Sequence, residues 1–313
     1  MSTMKAVRIH AYGGVDVLSY EDAPRPEPGD SELLIRVHAT SVNPFDCAVR
    51  AGYLAAYFNH TLPLILGTDV SGVVEQVGPG VTAFQPGDEV YGRTGVVRDG
   101  AYAEYALLAE TDVAAKPRSL DHRHAAALPH VSLTAWQALF ELGDLQAGQT
   151  VLIHGAAGGV GHVAVQLAKW RGAKVIGTSS RNVDYLHQLN VDQVIDYAVE
   201  PFELVARDVD VVLDTVGDVV QERSCMVLKP QGMLVSVIQA PSEELTARYN
   251  VRSALVYSSP PIGQTLTQVA ELVDSGRLVP HVSAVLPLQE VRQAHEMVEG
   301  RHTKGKLVLA VVP

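Results

Sequence analysis

The sequence predicts an α/β protein with two domains, one rich in β-strands and one built on a doubly wound parallel sheet. Its 313 residues exceed what one ordinary core accommodates and suffice for two. Through about residue 122, turn signals rather than helices separate short apolar runs. From residue 123 onward, strand-like runs alternate with helix-like runs, which is the pattern of a parallel sheet.

Composition and charge exclude several classes of function. Apolar residues make up 47% of the chain, enough for a large core. The formal net charge of −11 has the wrong sign for a nucleic-acid or anionic-membrane partner. Two cysteines, Cys47 and Cys225, are too few for a disulfide scaffold or a four-thiolate zinc site. The N-terminal segment lacks a hydrophobic signal core and no apolar stretch approaches membrane-span length, so we expect a cytoplasmic protein.

Apolar runs predict the strands of both domains. In the first domain they are Lys5–His10, Leu33–Thr40, Ser71–Val77, Glu89–Gly92 and Tyr102–Leu108. In the second they are Thr150–His154, Lys174–Thr178, Gln193–Asp196, Val209–Asp214 and Met233–Ile238. Pro129 starts a helical turn, and Val160–Trp170 carries its apolar residues on one helical face. A strand at Arg252–Ser258 and a helix at Gly263–Asp274 then complete the parallel sheet.

The C-terminal tail has the pattern of the first domain again. It predicts a strand at His281–Leu286, a helix at Leu288–Glu299 and a strand at Lys306–Val312. Because the parallel sheet already has its full count of strands, we expect the tail to rejoin the first domain. The first domain then consists of residues 1–122 and 279–313 and the second of residues 123–278, with a cleft between them.

A glycine-rich turn follows the first strand of the second domain. Gly158 and Gly161 hold two positions of the dinucleotide-binding fingerprint and Ala156 holds the first. Small residues let the backbone approach a pyrophosphate, whose charge lies on the N–H groups that open the next helix. We therefore predict a dinucleotide site over Ala156–Gly161, including Gly159 and Val160. The alternative is a tight packing turn that uses small residues for steric reasons only.

The end of the second parallel strand favours NADPH over NADH. An NAD site usually has an acidic residue there to hold the ribose 2′-hydroxyl, and none occurs before Asp184. Ser179, Ser180 and Arg181 instead offer hydroxyls and a guanidinium that suit a 2′-phosphate. The alternative is an ordinary polar helix start, because serine is a good N-cap.

Nine segments in order along the chain resemble the medium-chain dehydrogenase/reductase superfamily, and within it the zinc-free quinone oxidoreductase (ζ-crystallin-like) branch. They are Ser41–Asp46, Gly67–Val74, Val77–Val81, Gly87–Val90, Gly100–Tyr105, Leu133–Trp136, Ala156–Gly161, Val194–Tyr197 and Lys304–Leu309. The resemblance implies a discontinuous GroES-like catalytic domain, a Rossmann cofactor domain that binds NADPH, and a homo-oligomer, either a dimer or a tetramer.

Zinc-dependent members of that superfamily carry Gly-His-Glu where this chain has Gly67-Thr68-Asp69, and a cysteine where it has Asn43. Catalytic zinc needs three protein ligands, and neither the imidazole nor the thiolate is present. Among the 12 histidines, His122, His124 and His130 are close in sequence. We interpret these three as solvated or domain-junction histidines rather than as metal ligands.

Without a Lewis acid, reduction of an electron-poor acceptor is easier than oxidation of an alcohol. A quinone or an α,β-unsaturated carbonyl accepts hydride directly and needs only alignment and hydrogen bonding to its oxygen. The resemblance places Asn43 near the nicotinamide and Tyr53 at the substrate mouth, as catalytic candidates. Tyr53 serves equally well as an amphipathic cleft wall, and Asp46 orders the loop. We expect Thr134 to contact the nicotinamide ribose or amide.

The resemblance also implies where the other cofactor-binding residues lie. Tyr197 and Val216 lie on the adenosine side, whereas Ile238, Gln239 and Ala240 face the nicotinamide. For Lys306 we expect a structural role rather than contact with a phosphate of the cofactor. The alternatives to a quinone or enone reductase are an enoyl-thioester or other carbonyl reductase, and a non-catalytic protein that binds NADPH.

Overall fold

The computed structural model describes residues 2–257, 261–300 and 303–312. The elements of the N-terminal part are β1 (Thr3–Ile9), β2 (Ser19–Pro24), β3 (Glu32–Val42), α1 (Pro44–Ala51), β4 (Leu64–Ile65), β5 (Asp69–Val77), β6 (Glu89–Arg93), β7 (Tyr105–Ala109), β8 (Val113–Ala115) and α2 (His122–Ala125).

Strands and helices alternate in the middle of the chain. They are α3 (Pro129–Trp136), β9 (Thr150–Ile153), α4 (Gly159–Arg171), β10 (Lys174–Thr178), α5 (Val183–Gln188), β11 (Gln193–Ile195), α6 (Phe202–Val205), β12 (Val209–Asp214), α7 (Val219–Cys225), β13 (Leu228–Ser236), α8 (Glu243–Tyr249) and β14 (Arg252–Leu255). A π-helical segment, Gln137–Leu142, continues α3. The predicted strand over Arg252–Ser258 ends earlier than expected, and Ser258 itself lies outside the described residues.

The C-terminal part contains α9 (Gly263–Asp274), β15 (Val282–Pro287), α10 (Val291–Glu299) and β16 (Lys306–Ala310). The whole chain divides into two compact units. The first consists of Met1–His130, Pro260–Gly276 and Pro280–Pro313, and the second of Val131–Ser259 and Arg277–Val279.

The first unit contains two sheets. A three-stranded sheet has the order β2-β1-β4, and a larger sheet has the order β15-β16-β3-β5-β6-β8, with β7 paired to β3. The C-terminal strand β16 runs antiparallel to β3, with Leu307 opposite Val42. On its other side β3 runs antiparallel to β5, with Ala39 opposite Ser71. This register places the end of β3 beside both the start of β16 and the start of β5, which is where the polar cluster described below lies.

Helix α9 differs from its predicted place. The sequence predicts that it covers the parallel sheet, but the structure packs it in the first unit against β8. Tyr91 donates a hydrogen bond to the carbonyl of Leu266 at 2.5 Å, and Asp274 accepts the backbone N–H of Ser119 at 2.9 Å. The apolar spacing of an amphipathic helix gives its buried face but not the sheet that this face covers.

The second unit confirms the predicted doubly wound fold. Its six parallel strands have the order β11-β10-β9-β12-β13-β14, which is that of a Rossmann dinucleotide-binding sheet. The strand β9 lies in the middle, and its residues Val151, Leu152 and Ile153 are fully buried. Helix α4 follows β9 and returns the chain to β10. In the described residues, no helix is both long and apolar enough to cross a membrane.

Candidate functional site

The glycine turn of the second unit allows helix α4 to approach the sheet closely. A Cβ atom on Gly161 would lie 2.2 Å from the carbonyl oxygen of Gly155 and 2.7 Å from the Cα of Ala156. Both are backbone atoms, so only glycine fits. Gly155 has a φ of +58°, in the left-handed region that favours glycine. Gly155 and Gly161 are therefore required by the backbone geometry of the turn. The turn also places the free N–H groups of the first turn of α4 at the end of strand β9.

Ala156 fits the first fingerprint position because the neighbouring strand makes room for its methyl group. A Cβ on Gly177 in β10 would lie 3.1 Å from the Cβ of Ala156. The N–H of Ala156 donates to the carbonyl of Thr178 at 3.1 Å, which fixes the turn on β10. The N–H groups left for an anion are those of the helix start, where Gly158 is the N-cap.

Exposed apolar side chains line the carboxyl edge of this sheet at regular positions. Tyr197, Val216 and Ile238 are 56%, 42% and 53% exposed. Each lies two residues beyond the end of its strand: β11 ends at Ile195, β12 at Asp214 and β13 at Ser236. Gln239 and Ala240 continue the segment that contains Ile238. Large exposed apolar groups at the carboxyl ends of parallel strands are typical of a ligand site.

A buried carboxylate that the sequence did not single out shapes this edge. Asp214 accepts the backbone N–H groups of Val216 and Gly217 at 2.9 and 2.8 Å. Its other oxygen accepts from Gln221 and Ser236, both at 3.0 Å. A strand that ends in aspartate before a Val-Gly pair is the signal that could have identified it. Asp214 holds the turn that presents Val216.

The predicted 2′-phosphate group of residues lies at the end of β10. Ser179 is buried, and its hydroxyl oxygen accepts the N–H of Asn182 at 3.2 Å, which is the helix-start role considered above. Arg181 is exposed and forms no ion pair with any residue in the described ranges. Its guanidinium is therefore available to an anionic ligand, whereas Ser179 serves the backbone as well.

A second polar cluster lies in the first unit, where β3, β5 and β16 meet. Asp69 is fully buried and accepts hydrogen bonds from the hydroxyl of Ser41 and from the backbone N–H of His130, the latter at 2.6 Å. The side-chain nitrogen of Asn43 also donates to Asp69, at 2.9 Å, and to the hydroxyl of Thr68, at 3.1 Å. Asn43 thus bonds to both of the other residues at the positions of zinc ligands, Thr68 and Asp69.

The cation in this cluster is Lys306. Its Nζ lies 3.6 Å from an oxygen of Asp69, 2.5 Å from the side-chain oxygen of Asn43 and 3.2 Å from the carbonyl of Val42. The ammonium donates hydrogen bonds to the Asn43 oxygen and the Val42 carbonyl, and Asp69 is its ion-pair partner. Burial lowers the pKa of Lys306, and Asp69 opposes that shift. Lys306 thus has the predicted structural role, because its charge balances that of the buried Asp69 carboxylate.

A zinc ion does not fit these side chains. Lys306 already forms an ion pair with Asp69. The Thr68 hydroxyl is at the position of the imidazole ligand and the Asn43 amide at that of the thiolate ligand. Within the described ranges, no three or more His, Cys, Asp or Glu side chains are grouped to hold a metal ion. His124 is exposed and bonds Asp121 at 2.7 Å, while burial lowers the pKa of His130 to about 3.

Helix α1 positions Asp46 beside this cluster. Asn43 is its N-cap, Pro44 is its first residue, and the carboxylate of Asp46 accepts the N–H of Asn43 at 2.8 Å. Burial, together with the charge of Asp69, raises the pKa of Asp46 to about 7, although the Asn43 bond opposes the shift. Asp46 also lines a cavity of this unit, together with Phe45 and Thr68. It therefore orders the loop, as predicted, and in addition carries a titratable proton near neutral pH.

Asp46→Asn should make the free energy of unfolding less dependent on pH. Because the folded pKa is raised above the model-peptide value, the folded state binds more protons than the unfolded state between about pH 4 and 7, and stability falls as pH rises through that window. The asparagine variant lacks this loss. We expect its stability relative to wild type to improve by about 2–3 kcal/mol between pH 5 and pH 8. Urea unfolding at both values measures it, and a constant difference between variant and wild type would contradict the assignment.

The remaining predicted residues are distributed over both units. Tyr53 in the first unit is 79% exposed, so its phenol is free to meet a ligand. Thr134 is buried in α3. Asn43 is 1% exposed, and its amide is committed to Lys306, Thr68 and Asp69. Direct contact of Asn43, Tyr53 or Thr134 with cofactor or substrate stays a prediction.

Two family models match the chain. One is described as an alcohol dehydrogenase GroES-like domain and matches residues 29–118; the other, described as a zinc-binding dehydrogenase, matches residues 189–309. The chain is 32% identical to the mitochondrial NAD(P)H oxidoreductase RTN4IP1 of Danio rerio, over 99% of this chain and 92% of the relative.

Solved structures agree with these matches. A quinone oxidoreductase from Coxiella burnetii superposes with a TM-score of 0.93 at 37% identity and covers 99% of this chain and 100% of its own. The CurK enoyl reductase superposes with a TM-score of 0.88 at 29% identity and covers 99% of each chain.

Proposed function

The chain belongs to the quinone oxidoreductase-like branch of the medium-chain dehydrogenase/reductase superfamily, and from this premise we propose that it is an NADPH-dependent, metal-independent reductase of quinones or α,β-unsaturated carbonyls. Membership makes it an oxidoreductase that uses a nicotinamide cofactor. The preference for NADPH, the independence from metal and the class of acceptor are the proposed parts.

The observation that carries the proposal is the buried Lys306 ammonium on Asp69. A metal-dependent alcohol dehydrogenase uses a Lewis acid to acidify its substrate. Here a fixed cation already lies 3.6 Å from the buried carboxylate of Asp69 and balances its charge. An acceptor that is already electron-poor, such as a quinone or an enone, needs no such activation.

The residues of the second unit fit a dinucleotide. The turn Ala156–Gly161 would hold the pyrophosphate at the start of α4, because Gly161 leaves room for close backbone approach. Tyr197 and Val216 would cover the adenosine side, and Ile238–Ala240 the nicotinamide side. When bound, the nicotinamide supplies the hydride. The protein's own residues bind and orient the partners and exclude water from between them.

An acceptor panel tests the proposal. The purified protein is mixed with NADPH and, in separate reactions, p-quinones, linear enals, cyclic enones and enoyl thioesters, and loss of NADPH is followed. We expect turnover with quinones or enones that is unchanged by a chelator. Turnover confined to enoyl thioesters would favour the alternative represented by the CurK enoyl reductase. NADPH binding without turnover of any acceptor would favour a non-catalytic protein, and activity lost on chelation and restored by zinc would overturn metal independence.

Arg181→Ala should weaken NADPH binding roughly tenfold or more and leave NADH binding nearly unchanged. A charge-assisted hydrogen bond to the 2′-phosphate contributes about 1.5–3 kcal/mol, and about 1.4 kcal/mol corresponds to one decade in Kd. Ser179→Asp should go further and favour NADH, because its carboxylate accepts from the 2′-hydroxyl and repels the phosphate.

Fluorescence titration of both cofactors gives the Kd values. Lys174→Ala is the matched control, because it removes a cation at the opposite end of β10. A wild type that prefers NADH, or an Arg181→Ala variant that loses both cofactors equally, would rule out this role of Arg181.

A further inference from the structure

We propose that Thr68 is a catalytic residue whose hydroxyl donates a hydrogen bond to the carbonyl oxygen of the acceptor, polarised through Asn43 by the buried ammonium of Lys306. This inference rests on the proposed function, because it names the group that would stabilise the negative charge formed on the acceptor during reduction. It gives Lys306 and Asn43 the part of positioning residues.

The direction of the Asn43 amide is fixed by its neighbours. Lys306 Nζ lies 2.5 Å from Oδ1, whereas the carboxylate of Asp69 lies 2.9 Å from Nδ2. An amide turned the other way would place its N–H₂ against the ammonium and its oxygen against the carboxylate, so only one orientation satisfies both. In that orientation the Asn43 nitrogen donates to Thr68 Oγ1 at 3.1 Å.

The Thr68 hydroxyl is left with a proton to donate. Its oxygen accepts from Asn43, and within the described ranges the hydroxyl donates to no other residue. Thr68 is 5% exposed and lines the cavity beside Asp46, whose other walls include Phe45, Leu66 and Thr94. Thr94 differs from Thr68 in this respect, because its own hydroxyl already donates to the carbonyl of Gly67 at 3.1 Å. Thr68 therefore offers this cavity a hydrogen-bond donor that the fold does not use.

The chain of bonds runs from a cation to that donor. The first two steps are hydrogen bonds, from the ammonium to the Asn43 oxygen and from the Asn43 nitrogen to the Thr68 oxygen. The proposed third step runs from the Thr68 hydroxyl to an acceptor in the cavity that Thr68 lines. Successive hydrogen bonds polarise one another, and buried surroundings strengthen the electrostatic effect. The Thr68 hydroxyl is thereby a stronger donor than an isolated threonine.

The reaction places charge where this donor acts. Addition of hydride to the β-carbon of an enone shifts the C=C electron pair to the bond between the α-carbon and the carbonyl carbon and moves the C=O π pair onto oxygen, which gives an enolate. Water then protonates the α-carbon and leaves hydroxide. A donor fixed in advance toward the developing oxyanion lowers the barrier without reorganising. The chain thus supplies through an amide and a hydroxyl what a metal ion supplies by direct coordination.

The first test compares Thr68→Val with Thr68→Ser. Valine keeps the shape of threonine and removes the hydroxyl, so we expect kcat/KM for an enone to fall about 100-fold, the lower end of the range for loss of one oxyanion donor. Serine keeps the hydroxyl and should stay within about threefold of wild type. Thr267→Val, which removes an exposed helical hydroxyl that donates to the carbonyl of Gly263, is the matched control for the substitution itself. Equal activity of Thr68→Val and wild type would overturn the proposal.

The second test needs neither cofactor nor turnover. Substituted phenolates of graded basicity mimic an enolate oxygen, and their Kd values are measured with wild type and Thr68→Val. We expect wild-type affinity to rise with phenolate basicity and the valine variant to lose most of that slope, which a purely structural role of Thr68 would not produce. An unchanged slope would contradict the donor role. If wild type reduces no acceptor but keeps the phenolate slope, the proposed function fails while the donor assignment stands.

Discussion

Lys306→Met should lower the free energy of unfolding by about 3–5 kcal/mol, the cost typical of leaving one partner of a buried ion pair without the other. Asp69 has no exposed surface and the Lys306 side chain is 3% exposed, so no water replaces the lost ammonium. The amide of Asn43 also loses the donor that fixes its orientation. Urea unfolding at neutral pH, followed by circular dichroism, measures the change.

Two further variants separate this effect from loss of any lysine. Lys229 pairs with Asp210 at 2.7 Å but is 44% exposed, so Lys229→Met should cost less than about 1 kcal/mol. The double variant Asp69→Asn with Lys306→Met removes both buried charges and should recover part of the loss. If Lys306→Met is no more damaging than Lys229→Met, the buried pair does not stabilise this unit.

Gly161→Ala should abolish measurable dinucleotide binding and destabilise the second unit by about 1–3 kcal/mol, the usual cost of forcing extra atoms into a packed site. The new methyl would lie 2.2 Å from the Gly155 oxygen and 2.7 Å from the Ala156 Cα. Since both are backbone atoms, relief requires the turn itself to move away from β9. We expect Kd for NADPH to rise more than 100-fold in fluorescence titration.

Gly158→Ala is the matched control for stability. Its Cβ would meet only the Gly155 oxygen, at 3.2 Å, and its φ of −80° suits any residue. Thermal unfolding of this variant should stay close to that of wild type. Wild-type cofactor affinity in Gly161→Ala would show that the turn is a packing device and not the dinucleotide site.

The parallel sheet is the part of the fold that the sequence predicts best, because its strands are buried on both faces and appear as continuous apolar runs. β10 and β12 have the predicted bounds, Lys174–Thr178 and Val209–Asp214. The strand β2 escapes prediction because Ser19–Pro24 is mostly exposed and polar. The placement of α9 cannot be predicted in this way, because the apolar face of a helix does not show which sheet it packs against.

The candidate site also has one part that the sequence predicts and one that it does not. The glycine turn is local, so its spacing is visible in the sequence. The chain from Lys306 through Asn43 to Thr68 joins residues 263 and 25 positions apart, and it exists only because β3 pairs with both β16 and β5. No local sequence pattern predicts how these three strands pair. The sequence shows that the residue types of the zinc ligands are absent, whereas the structure shows the buried ammonium of Lys306 beside the residues at those positions.

The most direct test of the central claim is the fate of deuterium carried at both C4 hydrogen positions of the nicotinamide of NADPH. The protein is incubated with the labelled cofactor, a chelator and the best enone of the acceptor panel, and the product is examined by NMR and mass spectrometry. Direct, metal-independent hydride transfer predicts a saturated ketone with deuterium at its former β-carbon. A product without deuterium, or product formation that stops with chelator and resumes with zinc, would contradict the account.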